Sequence, residues 1–320
     1  MRPIQIFPWA LSLISFHLVA GSFTFTTIDF PDALTTLPSG INDRGEVVGV
    51  YSIGSGGFTE SFLLSGGTFS TQGFPGALTT QNSGINSSGL EVGFYNLIGG
   101  ATHGFLLSGS TFSTLDFPGA SSTRAFGINN SGQVVGDYSL VGGGSHSFLL
   151  SGSTFSTFDF PGSFSTIALG INNSGQVVGY YNLIGGASHN FLLSGGTFSS
   201  FDFPGGFGTF AKGINDSGQV VGYYILNPGS GATHGFLLSG GTFSTLDFPG
   251  ASSTTVTGIN NSGQVVGDYQ TVVGPHHGFL ATPTELGAPV PEAGTLYSVV
   301  GTLGLMGMWS WRRRRHSSSQ

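Results

Sequence analysis

Apolar and polar residues fall into short runs that return at a fixed interval along the chain. "INNSGQVVGDY" occupies residues 128–138 and again 259–269, and near-copies begin at 41, 85, 171 and 214. The Gly-Ile-Asn triplets start at Gly40, Gly84, Gly127, Gly170, Gly213 and Gly258, at spacings of 44, 43, 43, 43 and 45. Each unit holds four short apolar-rich strand candidates separated by turn signals. In the third unit they read "TRAFGIN", "QVVGDYSL", "SFLLSG" and "TFSTFDFP". The first two are joined by Asn130-Ser131-Gly132, a hairpin signal in which Asn and Gly are expected to accept positive φ. A Ser/Gly turn joins the last two. "QVVG" is apolar at consecutive positions, which predicts a sheet covered on both faces. No stretch of the body has helical periodicity.

Four strands in about 43 residues, repeated six times, predict an all-β fold, a β-propeller of six four-stranded blades. A β-helix is the rival, but its coils are usually shorter. The array ends support ring closure. Residues 22–31, "SFTFTTIDFP", form a fourth strand without the first three, and "HGFLATP" at 277–283 is a third strand without its fourth. The N-terminal strand is therefore expected to complete the sixth blade, whereas an open solenoid would want polar caps. Only 7% of residues are charged and 56 are Gly, a composition that alone would allow disorder. The 29 Phe and the recurrent Val, Ile, Leu and Tyr hold fixed places instead, and can fill a core. Cysteine is absent, which excludes disulfides and thiolate metal sites.

Charge changes the picture at the two ends. Five of the eight basic residues are Arg2 and Arg312, Arg313, Arg314 and Arg315; only Arg44, Arg124 and Lys212 lie between. The body is acidic and has no basic patch, which argues against a nucleic-acid partner. Residues 1–21 combine Arg2, an apolar run over 6–20 and small residues at Ala20, Gly21 and Ser22, the layout of a cleaved signal peptide. The expected body spans 22–283, followed by a linker, 284–293. Residues 294–311 carry no charge, and as a helix would reach roughly 27 Å, enough for a thin bilayer. The basic tail, 312–320, should stay in the cytoplasm.

Val290, Pro291 and Glu292, the apolar segment behind them and the cluster Arg312–Arg315 together resemble the PEP-CTERM sorting signal of Gram-negative bacteria. Ala293 stands where that family usually has a second proline. The resemblance implies an exosortase-type membrane protease as partner and an association with exopolysaccharide and biofilm matrix. It also implies a route through the inner membrane to the cell surface or extracellular matrix. The body resembles the HAF-type extracellular repeats of exported bacterial proteins. It carries an "NxxGxVVG" step and His103-Gly104-Phe105, His234-Gly235-Phe236 and His277-Gly278-Phe279, with variants at His146 and His189. That likeness covers roughly residues 23–283 and implies export.

Candidate chemistry follows from what repeats and what does not. His103, His146, His189, His234 and His277 hold equivalent positions, with Glu60 at the sixth. A narrow ring of imidazoles facing the channel could bind a transition metal; the favoured role is one structural hydrogen bond per blade. Asp29, Asp116, Asp159, Asp202 and Asp247 precede Phe-Pro in five units. One Asp per blade does not supply the six to eight oxygens of calcium, so a turn-building role is expected. An enzyme would be sought where the symmetry breaks, at Arg124, Lys212, Glu91, Arg44, Glu60, Asp137 and Asp268, the last two standing where other units have Tyr180 or Tyr223. No context marks the paired carboxylates of a glycosidase or a Ser-His-Asp site. The leading expectation is a non-catalytic, cofactor-free surface or matrix protein with a binding or structural role, extracellular polysaccharide being one partner. The alternatives are a propeller enzyme acting on extracellular polysaccharide and a metal-binding surface protein.

Overall fold

The repeated Gly-Ile-Asn triplet ends the innermost strand of every blade, and each of its residues has a separate task. The structure, a computed structural model, describes residues 22–54, 59–186, 188–229, 231–272 and 274–284. Among these, twenty-four strands form six four-stranded antiparallel sheets. In the third blade the strands are Ser122–Ile128, Val134–Ser139, Ser145–Ser151 and Thr154–Phe158, neighbours in that order. The first strand of each unit is innermost, and the six innermost strands contact one another in a ring around a central lumen. The all-β, six-bladed propeller read from the repeat is the observed fold. The expected signal peptide, the sorting step at 290–292, the apolar segment 294–311 and the arginines 312–315 lie outside the described residues.

Gly127 lets neighbouring inner strands meet. A Cβ there would lie 2.8 Å from the Leu169 carbonyl oxygen and 3.3 Å from the Gly170 Cα, so a side chain would push the blades apart. At the closing seam Gly258 faces the Gly40 Cα at 3.2 Å. The following isoleucines, Ile41 to Ile259, are 6–8% exposed and plug the lumen. The asparagine caps its own hairpin and stitches the next blade. Asn129 Oδ1 accepts the backbone N–H groups of Ser131 and Gln133 at 3.1 and 2.9 Å, while its Nδ2 donates to the Asn172 carbonyl. Asn42, Asn86, Asn129, Asn172, Asn215 and Asn260 repeat this donation in sequence at 3.0–3.2 Å, and Asn260 returns to Asn42. These buried side chains thus form a closed circle of amide hydrogen bonds.

The hairpin itself differs from expectation at one residue. Gly132 takes positive φ, 76°, but Asn130 does not. Asn130 is used across blades instead: its Oδ1 accepts the Ser87 N–H at 2.8 Å. That is a tertiary contact, which the local turn signal does not contain.

A Phe-Pro segment joins each blade to the next, preceded by Asp at five of the six junctions and by Gly73 at the other. Asp159 Oδ2 accepts from His146 Nδ1 at 2.7 Å within the third blade, and the adjacent Phe160 lies flat on Tyr181 of the fourth, centroids 3.7 Å apart. The same Phe–Tyr stack occurs at all six junctions at 3.6–3.7 Å. Phe62, Phe105, Phe148, Phe191, Phe236 and Phe279, one per blade, are fully buried. The sixth blade is closed by the other end of the chain. Phe23–Ile28 is its outermost strand, paired antiparallel with His276–Pro283 from Phe23↔Pro283 to Ile28↔Gly278.

Candidate functional site at the upper mouth of the lumen

Every innermost strand carries a β-bulge at the same place, marked by a register shift such as that between Ala211 and Gly213. A bulge turns one residue out of the ladder and re-aims its side chain. The residues so placed are Ser39, Ser83, Phe126, Leu169, Lys212 and Thr257, all on the lumen wall. Two residues earlier, toward the end where the inner strands begin, stand Leu37, Gln81, Arg124, Ile167, Phe210 and Thr255. Their cross-strand partners are Val50, Phe94, Asp137, Tyr180, Tyr223 and Asp268. The lower mouth is a repeated amide ring; the upper mouth differs in every blade.

Charge gathers on one side of it. Arg124 grips Asp137 through two hydrogen bonds, Nε to Oδ1 at 2.9 Å and Nη2 to Oδ2 at 2.6 Å. The Asp137 residue is 1% exposed, so the fork–fork pair replaces the water it has lost. Donation to Asp137 holds the Arg124 guanidinium above its already high value. Arg124 also lies over the Phe126 ring at 5.4 Å. In the fifth blade Lys212 Nζ sits 5.6 Å over the Tyr223 ring. Tyr223 stacks on Phe210 at 5.0 Å, and Phe210 meets the edge of Tyr180 at 5.4 Å. Burial first, then the charge of Arg124, lowers the Lys212 amine to about 8, opposed by Asp268. Burial raises the Tyr223 phenol to about 12 and raises Tyr180 as well. In the sixth blade Asp268 accepts from His276 Nδ1 at 2.8 Å, and this bond raises the imidazole pKa.

The rim around this mouth is apolar. Ile98, Val141, Ile184 and Val272, on loops between second and third strands, are 84–93% exposed, and Ile53 and Leu226 occupy the matching loops of two further blades. Leu34, Leu78, Phe164 and Phe207 stand exposed just before the inner strands. Among the described residues the exposed large apolar side chains therefore share one face.

Departure from the repeat picks out Arg124, Lys212, Asp137 and Asp268 in the sequence, and the structure brings these four to the same mouth. The other three go elsewhere. Arg44 pairs with Glu46 on a lower hairpin at 2.6 Å. Glu60 stands in for a histidine and accepts from the Tyr51 hydroxyl at 2.8 Å. Glu91 is buried between the first two blades, bonded to Gln72 and Asn82. Sequence reasoning passes over His276, which lies beside the repeated His277 and outside the repeat register. It also passes over Phe210, one Phe among 29 until the bulge places it.

The recurrent histidines sit on third strands, away from the lumen. His103, His146, His189, His234 and His277 each donate Nδ1 to the aspartate of the same blade, Asp116, Asp159, Asp202, Asp247 and Asp29, at 2.7–2.8 Å. In four blades the second aspartate oxygen also caps a backbone N–H, such as Asn190 N at 3.1 Å. Among the described residues no three metal-ligating side chains come together. His189 and Asp202 are each more than a third exposed, and such pairs are worth about 0.2–1 kcal/mol. His189→Ala is expected to lower stability by about 1 kcal/mol or less, read by thermal denaturation, and to leave the metal content of the purified protein unchanged. Stoichiometric metal in the wild type, lost from a His146/His189 double variant, would overturn the structural assignment.

Comparison with solved structures places the fold. The chain is similar to a triple arginine-to-alanine mutant of AofleA from Arthrobotrys oligospora, at 12% identity and TM-score 0.52, over 83% of this chain and 91% of that one. It is similar to a variant of the Aleuria aurantia lectin in complex with Fucalpha1-6GlcNAc, at 12% identity and TM-score 0.50, over 81% and 99%. It is also similar to the β-propeller domain of the trilobed protease from Pyrococcus furiosus, which has an open velcro topology, at 12% identity and TM-score 0.50, over 80% and 86%. No family model matches the chain, and no curated protein matches it. The likeness is one of fold, and the neighbours include a lectin and a protease domain, so the fold does not decide between binding and catalysis.

Proposed function

We propose that the protein is an exported, non-catalytic binding protein of the cell surface or extracellular matrix, whose ligand site is the upper mouth of the lumen. The observation that carries this reading is the convergence there of Arg124, Asp137, Tyr180, Phe210, Lys212, Tyr223 and Asp268 on a scaffold that is otherwise sixfold repetitive. A binding site for an asymmetric ligand needs different groups at fixed places, and the repeated bulge supplies six variable ones. Stacked aromatics beside hydrogen-bonding groups suit a saccharide, whose rings have one apolar face. The broad apolar rim suits a partner larger than a free metabolite.

The runner-up, an enzyme acting on extracellular polysaccharide, is less well supported. Both carboxylates of the mouth are engaged, Asp137 by Arg124 and Asp268 by His276. A glycosidase needs one carboxyl free to give up a proton and another free to attack or to activate water. The metal-binding alternative loses support because the repeated imidazoles sit on third strands away from the lumen, each bonded to an aspartate of its own blade.

Export and sorting rest on the chain ends: the apolar leader at 1–21, the "VPE" step at 290–292, the segment 294–311 and the four arginines. In this reading an exosortase-type protease cuts near 290–294 while the arginines hold the tail at the inner membrane, and the body then passes outward. Two experiments test the proposal. Full-length protein purified in detergent is screened on a glycan array, and loss of a hit in an Arg124→Ala or Phe210→Ala variant assigns it to the mouth. Mass spectrometry of membrane, surface and medium fractions reads the C-terminus. An end near 290–294 in surface material supports sorting, and an intact Gln320 in every fraction removes it.

A further inference from the structure

Of the charged groups described at the upper mouth, Lys212 is the one without a bonded counter-ion. Arg124 has its charge paired by Asp137 through two hydrogen bonds. His276 and Asp268 are bonded to each other. Lys212 Nζ has a ring beneath it, Tyr223, and among the described residues neither a carboxylate nor another acceptor bonds it. The bulge between Ala211 and Gly213 directs this side chain into the lumen, where the matching residues of the other blades are neutral. Asp268 acts on this amine only at a distance, partial burial of an unbonded cation is costly, and three N–H donors remain to be used.

Resting on the saccharide-binding reading above, we infer that the mouth takes a carboxylated sugar, its carboxylate on the Lys212 ammonium and the apolar face of its ring against Phe210 and Tyr223. A carboxylate supplies the acceptor and the bonded counter-ion that the amine lacks. The Phe210–Tyr223 stack stands directly beside the amine and is continued by the edge contact to Tyr180. In an acidic sugar the carboxyl group and the apolar ring face belong to one residue, as the amine and the aromatic wall do here. The acidic body would repel such a ligand at long range, so recognition is confined to the mouth.

The amine is lowered to about 8 by its burial and by Arg124. It is therefore charged at neutral pH and discharges just above it. Arg124 and Asp268 act on it electrostatically and Tyr223 lies beneath it; the other titratable groups of the mouth are Asp137, Tyr180 and His276. Of these the phenols are pushed up, away from that window.

The experiment is titration calorimetry on the full-length protein in detergent, with glucuronic acid and an oligoglucuronate against glucose and its neutral oligomer, and with acetate and sulfate as simple anions. The acidic sugars should bind at least tenfold more tightly than the neutral ones, and the preference should fade between pH 7 and 9. Lys212→Met should make the two classes equal, while Lys212→Arg should retain the preference and guards against a fold defect. Equal binding of both classes by the wild type, or a preference that survives Lys212→Met, overturns the inference while the saccharide reading stands. Sulfate or acetate binding as tightly as the acidic sugar reduces the site to a simple anion site. A folded wild type that binds no saccharide defeats both the inference and the reading it rests on.

Discussion

Removal of residues 22–31 is expected to lower the unfolding free energy by on the order of 5 kcal/mol and to drive the protein into aggregates. The deletion strips the outermost strand from the sixth blade, and with it the whole register from Phe23↔Pro283 to Ile28↔Gly278. Three apolar anchors go at once. Phe25 packs on Phe248 and Phe279 at 5.4 and 5.6 Å, Ile28 packs on the core of the first blade, and Phe30 stacks on Tyr51. A side chain of this size contributes about 1.5–3 kcal/mol on burial. His277 also loses Asp29, and the strand His276–Pro283 is left with an open edge. Deleting residues 285–294 removes none of these contacts. Denaturant unfolding and size-exclusion chromatography should therefore separate the two truncations sharply. Equal melting of both would mean that the ring does not depend on its closing strand.

The repeat made the architecture legible because a propeller's symmetry is written at a fixed period. Six copies of Gly-Ile-Asn place six inner strands, and the fragments at the array ends locate the closure. What the repeat hides is cooperation between copies. Asn129 reads as a turn residue, yet its amide also bonds the next blade, a contact 43 residues away. Asn130 reads as a positive-φ residue and is in fact an acceptor for Ser87. The site is legible only as departure from the pattern: Arg124, Lys212, Asp137 and Asp268 stand out because their counterparts differ. That they share one mouth follows from the bulge and from strand direction, neither of which a one-dimensional pattern carries. Phe210 and His276 need the fold before they mean anything.

A second break in the pattern sets up a pH response in stability. At the seam between the first two blades, Gln72, Asn82 and Glu91 stand where the third blade and its neighbour have Leu115, Ala125 and Val134 packed as apolar core. Glu91 is 3% exposed. Its carboxylate accepts from Gln72 Nε2 at 2.8 Å and from the Asn82 amide, but burial outweighs these bonds and raises it from 4.5 to about 7. A carboxyl group raised in the folded state favours the protonated fold. Its stabilising contribution is complete below about 4.5 and is lost as pH rises through about 7. At about 1.4 kcal/mol for each pH unit between those values, ionisation costs the fold about 3 kcal/mol. Glu91→Gln keeps the shape and removes the charge. It should be close to wild type at pH 5 and more stable than wild type at pH 8, by up to that amount. Replacing the seam outright, with Gln72→Leu, Asn82→Ala and Glu91→Val together, also deletes Asn82 Oδ1, a buried acceptor without a partner. Exchange of a buried polar cluster for apolar groups is often neutral or stabilising by about 1–4 kcal/mol. Gln72→Leu alone should do the reverse, since it leaves the carboxylate buried without its amide donor. Urea unfolding of the four proteins from pH 5 to 8 reads all three effects. If wild type and Glu91→Gln lose stability with the same slope across that range, the carboxyl group at this seam is not what titrates.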